Sequence, residues 1–369
     1  MDVMPKWAEV ILVPVISLLL AAILSALVIL GIGEDPVAAA SLMVEGAVGS
    51  VRGWGYTLYY ATNFIFTGLA VSVAFHARLF NIGGEGQAMV GGLGVALVLL
   101  FIPWPHWTIG LLAASLFAAC FGALWALIPA YLQAKRGSHI VITTIMFNFI
   151  ASALLIYLIN EFLKPVGQAD PASARFAAHL DLPTLNSILT AWGFKASKDD
   201  SVNVTFLIAL VCAVGIWIMM WKTRLGYEIR AFGHSESAAR YAGINPVKIT
   251  IVAMVISGGL AGLMAVNTVM GESEKLLLNS TEGAGFIGIA VALMGRSHPL
   301  GVILAAILFG FLYQGGAELA LWTSIPRELI VVIQALVILF TGALDNMVRM
   351  PLERVFLALR KSKSTEALD

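Results

Sequence analysis

The sequence predicts an all-α polytopic membrane protein with about ten transmembrane helices, some of them short or broken. Of its 369 residues, 59% are hydrophobic and 12% are charged, and the mean hydropathy is +0.90. Soluble domains contain roughly 45–50% apolar and about 25% charged residues. Uncharged, largely apolar runs recur along nearly the whole chain, and most approach the ~20 residues that span ~30 Å of hydrocarbon. These runs are Val10–Ile32, Tyr56–Phe75, Gln87–Ile102, Trp107–Ala134, Ile140–Asn160, Val202–Trp221, Ile249–Gly271, Gly283–Gly295, Pro299–Ala317 and Leu329–Leu344.

The first and the shortest run need separate arguments. Val10–Ile32 is longer than the apolar part of a signal peptide, carries no small-residue cleavage site and precedes many more spans, so it predicts a retained helix. Gly283–Gly295 rises only ~20 Å as a helix. It crosses an ordinary bilayer only if the helix is broken or the membrane is locally thinned.

The Lys and Arg residues decide how many runs cross. With ten crossings and a cytoplasmic N-terminus, fifteen of the 22 basic residues lie inside and seven outside. If Gly283–Gly295 did not cross, ten would lie inside and twelve outside. Because basic residues concentrate in cytoplasmic loops, the count predicts ten crossings of a cell (inner) membrane, with both termini cytoplasmic.

One long loop is predicted on each side of the membrane. The external loop, Lys164–Ser201, has about 38 residues, and the helical spacing of its apolar residues predicts a surface helix over Leu182–Phe194. The cytoplasmic loop, Lys222–Lys248, is the longest polar stretch on its face and carries five basic residues. We interpret the cytoplasmic loop as a docking surface.

The docking loop contains the signals of a short helix parallel to the membrane. Ser235 is a suitable N-cap, Glu236–Gly243 favours helix formation, and Gly243 is a suitable C-terminal stop. Small side chains would allow a partner to approach closely, and basic side chains would supply charge. The expected contact residues are Ala238, Ala239, Arg230 and Arg240.

Motifs for catalysis, nucleotides and metals are absent from the sequence. There is no Gly-x-x-x-x-Gly-Lys phosphate loop, no His-Glu-x-x-His pattern, no clustered Cys/His set and no Gly-x-Ser-x-Gly elbow. The six histidines are scattered, and the two cysteines lie within apolar runs and form no disulfide framework. We therefore predict no catalytic residue, no metal site and no bound cofactor.

Polar side chains within or beside the apolar runs are costly unless they are paired or line water. Asn63 and Thr67 share one helix face, and Thr144, Asn148 and Ser152 form a second stripe. Such residues either line a solute path or serve as interhelical hydrogen bonds worth about 0.6 kcal/mol each. The candidates for a path are Asn63, Thr67, Asn81, Glu85, Gln87, Thr144 and Asn148.

The segment RLFNIGGEGQ, Arg78–Gln87, predicts a non-helical lead-in to the third membrane helix. Glu85 would lie in the first helical turn, where free amide donors and the helix dipole favour an anion. Three interpretations remain open, namely a contact with solute, a buried cap and an ion pair with Arg78. A second glycine segment, SGGLAG, indicates close helix packing at Gly258 and Gly262.

Three sequence blocks stand out, namely FNIGGEGQ (Phe80–Gln87), TRLGYEIRAFGHSESAARYAGI (Thr223–Ile244) and GFIGIAVALMGRSHPLG (Gly285–Gly301). Together they resemble the permeases of ABC importers in the branched-chain amino acid and simple-sugar group, particularly the nucleoside-type permeases. The resemblance implies a type II importer fold formed by a single permease domain, residues 1–369. The sequence departs from the family at His139, where an acid is usual, and at Ser235, where Asn is common.

The resemblance also implies partners and a coupling segment. The partners are a second homologous permease, cytoplasmic ATP-binding subunits that use the ATP, and an external substrate-binding lipoprotein, with lipid around the helices and no nucleic acid. The docking loop would then be the coupling helix that rests in a groove of the ATPase. The residues that match the family's coupling segment are Gly226, Arg230, Ala231, Gly233, Ala238, Ala239, Gly243 and Ile244. We add the N-cap Ser235 and the basic residue Arg240 of the same loop.

The leading hypothesis is the permease subunit of an ATP-driven importer for a small polar solute, with nucleosides preferred. Simple sugars such as pentoses, free bases and riboflavin-like heterocycles are alternatives. A self-sufficient, ion-coupled secondary transporter would need acids deep in the membrane, and apart from Glu85 the apolar runs contain none. A membrane enzyme is disfavoured because no nucleophile, metal set or acid pair converges.

Overall fold

The computed structural model describes residues 12–184, 202–323 and 327–340, together with positions 5, 8, 187, 190, 325, 350–354 and 357. These residues form thirteen α-helices and no β-strand, apart from two isolated bridges. In chain order, α1 to α13 are Val13–Ile32, Pro36–Val48, Val51–His76, Gly84–Phe101, Trp107–Arg136, Ile140–Leu158, Thr205–Lys222, Arg224–His234, Glu236–Tyr241, Pro246–Ala265, Ala284–Met294, Pro299–Trp322 and Arg327–Ile338. The predicted all-α architecture is confirmed.

Eight of the described helices are long and apolar enough to span a membrane. They are α1, α3, α4, α5, α6, α7, α10 and α12, with α6 and α10 extended by the π-helical segments Ile159–Leu163 and Val266–Glu272. The predicted short run becomes the 11-residue α11, and the last run overlaps the 12-residue α13. The 13-residue α2 was not predicted. Ten crossings remain a prediction, and most of the predicted surface helix Leu182–Phe194 lies outside the described residues.

Polar residues mark where several long helices begin and end. Ser50 caps α3 by accepting from the Gly53 N–H (3.0 Å), and Asn245 caps α10 through the Lys248 N–H (3.3 Å). The C-terminus of α5 is followed by Gly137 at φ +69°, a left-handed conformation that glycine adopts without strain. Hydropathy therefore sets the helix interiors, and capping side chains set their ends.

The helices fall into two compact units, which are described separately. One unit combines Met1–Gly46 with Gly315–Asp369, and within it α1 packs against α13. The other unit is Ala47–Gln314. At its centre α10 packs most extensively against α5 and also against α3 and α4, while α11 packs against α3. All predicted path and coupling residues belong to this second unit.

Glycines bring α10 and α5 into close contact. A Cβ added to Gly262 would overlap the Ala118 carbonyl oxygen, and one added to Gly122 would overlap the Gly258 carbonyl oxygen. Gly91 of α4 approaches the backbone of Gly262 from another side. The close packing predicted for SGGLAG is therefore confirmed, because only hydrogen fits at these positions.

Candidate functional site

The non-helical residues before α4 are held in place by amide side chains. Asn81 Nδ2 donates to Gln87 Oε1 (2.9 Å) and to Ser257 Oγ (2.9 Å). Asn81 Oδ1 accepts from the Gly83 N–H (2.9 Å), and Ser257 Oγ donates to the Ala70 carbonyl oxygen (2.6 Å). Both Asn81 and Gln87 are 1% exposed. These bonds connect the predicted lead-in with α4, α10 and α3.

Glu85 lies in the first turn of α4 and reaches across to the start of α11. Its Oε1 accepts from Thr281 Oγ1 (2.5 Å) and the Gly283 N–H (3.0 Å), and its Oε2 accepts from the Gly285 N–H (2.8 Å). Arg78 lies on the surface, and among the described residues it forms no ion pair with Glu85. Of the three interpretations, the observed bonds are those of a buried cap.

The predicted stripe on α6 faces the same region. Asn148 Oδ1 accepts from the Gly86 N–H (2.9 Å), and its Nδ2 donates to the Ile82 carbonyl oxygen (3.0 Å). Thr144 Oγ1 donates within its own helix, to the Ile140 carbonyl oxygen (2.8 Å). Asn148 thus satisfies two backbone groups that the start of α4 leaves unpaired. We refer to Asn81, Glu85, Gln87, Asn148 and Ser257 as the anchor cluster.

A cavity of about 110 Å³ lies beside the N-terminal half of α3, against the π-helical segment that follows α10. Aromatic rings form much of its wall. The rings of Tyr60 and Tyr313 lie 4.6 Å apart between centroids, and those of Phe64 and Tyr313 lie 5.8 Å apart. We call this space the tyrosine cavity. Its aromatic residues are Tyr56, Tyr59, Tyr60, Phe64 and Tyr313.

Among the residues that the structure describes, two hydroxyl groups in the cavity wall have no hydrogen-bond partner. Thr268 is 4% exposed and Ser280 is 7% exposed, and neither Thr268 Oγ1 nor Ser280 Oγ is bonded. Buried polar atoms in folded proteins are rarely left unsatisfied, so these two hydroxyls require an explanation. The polar residues of the cavity wall include Asn63, Thr268, Glu272, Asn279, Ser280 and Glu282.

A network of buried amides supports the π-helical segment beside the cavity. Asn267 Nδ2 donates to Asn63 Oδ1 (2.9 Å), and Asn203 Nδ2 donates to Asn267 Oδ1 (3.0 Å). Thr205 Oγ1 also donates to Asn267 Oδ1 (2.6 Å). The network joins α3, α7 and α10, so the wall that carries Thr268 is held from two sides. Single-turn π segments within α-helices are frequent at functional sites.

The sequence carries one signal for the tyrosine cavity. Tyr56, Tyr60, Asn63 and Thr67 follow each other at steps of four, three and four residues, which places them on one face of α3. Asn63 lines the cavity. Thr67, one turn further, donates to the Asn63 carbonyl oxygen (3.1 Å) and packs so closely on α11 that a Cβ on Gly288 would lie 2.5 Å from its Oγ1.

The predicted docking loop folds into two short helices, α8 and α9. Ser235 Oγ accepts from the Ala238 N–H (3.3 Å), and Gly243 has φ +82°, so the predicted cap and stop of α9 are confirmed. The preceding helix α8 was not predicted. Ala238 is exposed whereas Ala239 is 3% exposed, so the expected shared contact face is wrong. Consecutive helical residues point about 100° apart, and Ala239 faces the protein.

The α8–α9 segment is attached to the C-terminal end of α3. A Cβ on Gly233 would overlap the His76 carbonyl oxygen, so the backbones of α8 and α3 touch there. The Arg230 guanidinium lies 5.9 Å from the Trp221 ring centroid, and that ring lies 5.4 Å from the His76 ring. We refer to the outward residues of the α8–α9 segment, Tyr227, Glu236, Ala238, Arg240 and Tyr241, as the coupling face.

The coupling face presents large side chains to solvent. Tyr241 is 96% exposed and Tyr227 is 60% exposed. Arg240 pairs with Glu236 one turn earlier (3.3 Å). Exposed tyrosines and arginines are the residue types enriched where proteins bind each other. Gly226, by contrast, packs against the carbonyl oxygens at the end of α7 and shapes the connection between α7 and α8.

Comparison with known sequences identifies the fold family. The profile of the family described as branched-chain amino acid transport system, permease component, matches residues 53–342. The chain belongs to this permease family. It is 34% identical to the guanosine ABC transporter permease protein NupP of Bacillus subtilis, over 92% of this chain and 95% of that protein.

Two further relatives are of similar closeness. The glucose ABC transporter permease protein TsgB13 of Haloferax volcanii is 33% identical, over 89% of this chain and 86% of that protein. The nucleoside ABC transporter permease protein NupB of Lactococcus lactis is also 33% identical, over 89% of this chain and 90% of that protein. The protein is therefore a multi-pass ABC transporter permease.

In this permease the predicted path residues occupy three different surroundings. Asn63 lines the tyrosine cavity, and Thr67 adjoins it. Asn81, Glu85, Gln87 and Asn148 belong to the anchor cluster, and Thr144 bonds within α6. The seven residues do not converge on one space, and their assignment to a path remains a prediction. His139 lies exposed directly before α6.

Proposed function

We propose that this permease imports nucleosides as the membrane subunit of an ATP-driven importer. The observation that carries the proposal is the α8–α9 segment, which seats Gly233 on the end of α3 and turns Tyr227 and Tyr241 outward. A partner bound to the coupling face would therefore act directly on the helix that lines the tyrosine cavity. In a chain without a phosphate loop, the energy of ATP must come from such a partner.

The proposed assembly follows from the family and the charge distribution. A second homologous permease completes the path, ATP-binding subunits hydrolyse ATP in the cytoplasm, and a substrate-binding lipoprotein delivers solute from outside. Both termini and residues 222–248 are cytoplasmic, residues 164–201 are external, and residues 1–369 act as one permease domain. The permease itself uses no cofactor.

Helix α3 supplies the mechanical connection. Its last residue, His76, touches α8, and Tyr60 in the cavity wall lies ~24 Å away along the helix at 1.5 Å per residue. Closure of the ATP-binding subunits would displace α8 and move α3 as a rigid rod. The cavity wall would shift with it, which opens the path first to one side and then to the other.

Names of the relatives support nucleosides as the solute, because NupP and NupB are guanosine and nucleoside permeases. A simple sugar is the second candidate, since the glucose permease TsgB13 is as similar as NupB. Uptake of labelled nucleosides and pentoses by the reconstituted importer separates the two candidates. ATP-dependent uptake of a pentose without any uptake of nucleosides would replace the first proposal with the second.

Coupling is tested with variants of the docking loop. We expect deletion of Glu236–Gly243 to leave an inserted permease without ATP-driven uptake, and Gly233→Ala to reduce uptake strongly by separating α8 from α3. Gly215→Ala is the matched control, because Gly215 has open space around its Cβ position. Full uptake and solute-stimulated ATP hydrolysis in the deletion variant would refute the assignment, as would uptake by the isolated chain without ATP.

A further inference from the structure

We propose that the tyrosine cavity is a transit site for the nucleoside itself, with the base on the Tyr60–Tyr313 rings and the ribose hydroxyls on the surrounding polar groups. This inference rests on the proposed function and adds where and how the solute is held within the permease. It is carried by three observations, namely an aromatic wall, two unbonded buried hydroxyls and carboxylates that line the same space.

The aromatic wall suits a flat heterocycle. Tyr60 and Tyr313 lie at a centroid distance of 4.6 Å with a 49° tilt, and Phe64 meets Tyr313 edge-on at 5.8 Å. Every nucleobase offers a π-face, so stacking on such rings accepts purines and pyrimidines alike. One base–aromatic stack changes affinity by roughly 5- to 150-fold. That range provides contact without the tight binding that would slow release.

The two unbonded hydroxyls favour a solute that can form hydrogen bonds with them. Thr268 and Ser280 line the cavity, and their buried hydroxyl oxygens have no partner within the described part of the chain. A hydroxyl removed from water without a hydrogen bond is unfavourable, and a solute that donates to it or accepts from it removes that cost. A ribose ring carries several hydroxyls that both donate and accept. An aliphatic solute would leave Thr268 and Ser280 unsatisfied.

The carboxylates define the charge of the solute. Glu272 and Glu282 line the cavity, and a carboxylate can accept hydrogen bonds from hydroxyls or exocyclic amines. They would repel a phosphate group, since like charges disfavour each other at close range. The carboxylates therefore favour a neutral solute, such as a nucleoside, over a nucleotide. A free base lacks the hydroxyls that would meet the polar wall.

The position of the cavity agrees with transit. It adjoins the N-terminal half of α3, and the coupling segment contacts the opposite end of that helix. Below the cavity, Thr67 packs tightly against Gly288 and narrows the space between α3 and α11. A solute in the cavity would rest above this constriction until α3 moves.

Cysteine protection tests the site without relying on transport. The variant Ser280→Cys is made in a Cys120→Ala, Cys212→Ala background, assembled with its partner permease and ATP-binding subunits in proteoliposomes, and treated with a thiol reagent. We expect adenosine to slow the modification of the cysteine at position 280, whereas adenine, AMP and 2′,3′-dideoxyadenosine slow it at least about five-fold less. The control Val166→Cys sits at a fully exposed position and should be insensitive to adenosine.

Aromatic and acidic variants assign the contacts. Tyr60→Ala should raise the half-protecting adenosine concentration about ten-fold or more, Tyr60→Phe should keep it, and Glu272→Gln should reduce the preference for adenosine over dideoxyadenosine. Tyr157→Ala, on an exposed tyrosine of α6, is the matched control. Protection by D-ribose equal to that by adenosine, with Tyr60→Ala inert, would overturn the nucleoside assignment in favour of a sugar site.

The two proposals fail in different ways. If the wild-type importer takes up nucleosides with ATP but adenosine never protects the cysteine at position 280, the transit site is wrong and the proposed function stands. If adenosine protects but no ATP-driven nucleoside uptake occurs, the cavity binds nucleosides and the proposed function is wrong.

Discussion

The anchor cluster and the tyrosine cavity are both polar regions within the same bundle of apolar helices, and they differ in how their polar atoms are satisfied. In the anchor cluster, Glu85 accepts three hydrogen bonds and Asn148 makes two, with donor–acceptor distances from 2.5 to 3.0 Å. In the cavity, the hydroxyls of Thr268 and Ser280 have no partner among the described residues.

In the proposed transit site, this difference separates residues that hold the fold from residues that would bind a solute. A buried polar group that is fully bonded fixes the relative positions of the helices that carry it. An unbonded buried group costs about 1–3 kcal/mol of stability, and a ligand that completes its bonds recovers that cost. The polarity of a membrane residue is therefore a weak guide to a transport path.

The largest difference in the free energy of unfolding is expected between alanine variants of two glutamates, Glu85 in the anchor cluster and Glu272 in the tyrosine cavity. Glu85→Ala removes the acceptor of the Thr281 hydroxyl and of two backbone N–H groups, so the free energy of unfolding should fall by about 3–6 kcal/mol. Glu272→Ala removes an exposed carboxylate at the cavity and should change it by less than about 0.5 kcal/mol. Thermal unfolding of the purified permease in detergent measures both values.

Glu85→Gln provides the control, because an amide keeps an acceptor oxygen and nearly the same shape. We expect it to lose less stability than the alanine variant. If Glu85→Ala unfolded at the wild-type temperature and only transport was lost, Glu85 would be a solute contact and the contrast between the two regions would fail.

Much of the fold was readable from the sequence because hydropathy dictates which segments enter lipid. The predicted runs correspond to helices in the described residues, and the lead-in before α4 is non-helical as expected. Two helices were missed for physical reasons. The 13-residue α2 is too short to give a spanning signal, and α8 is amphipathic, so its polar residues resemble those of a loop.

The candidate site was less predictable because it depends on contacts between distant segments. Glu85 meets Thr281, and Tyr60 meets Tyr313, only after α3, α4, α11 and α12 pack together. Nothing in the sequence distinguishes the unbonded hydroxyl of Ser280 from the bonded one of Ser257. The regular spacing of Tyr56, Tyr60 and Asn63 on α3 was the readable part of the cavity.

A smaller loss in the free energy of unfolding is expected when Asn148 is replaced. Asn148→Leu keeps the volume of the side chain but leaves the Gly86 N–H and the Ile82 carbonyl oxygen without partners, which should lower the free energy of unfolding by about 2–4 kcal/mol. Asn279→Leu, in the cavity wall at an exposed position, should cost less than about 1 kcal/mol. Equal losses in the two variants, measured by thermal unfolding, would remove the distinction between the regions.

The smallest expected effect on the free energy of unfolding concerns two buried serines. One hydroxyl is hydrogen-bonded and the other is not, so their alanine variants should differ in whether stability falls. Ser257 is bonded to Ala70 and Asn81, so Ser257→Ala should cost about 1–2 kcal/mol. The Ser280 hydroxyl has no partner in the described ranges of the chain. Ser280→Ala should therefore leave the free energy of unfolding unchanged or raise it by up to about 1 kcal/mol, because it removes a buried hydroxyl that no bond compensates. Nucleoside uptake should fall in the Ser280 variant despite its stability. A loss of stability in Ser280→Ala equal to that in Ser257→Ala would mean that Ser280 is bonded within the protein and is not available to a solute.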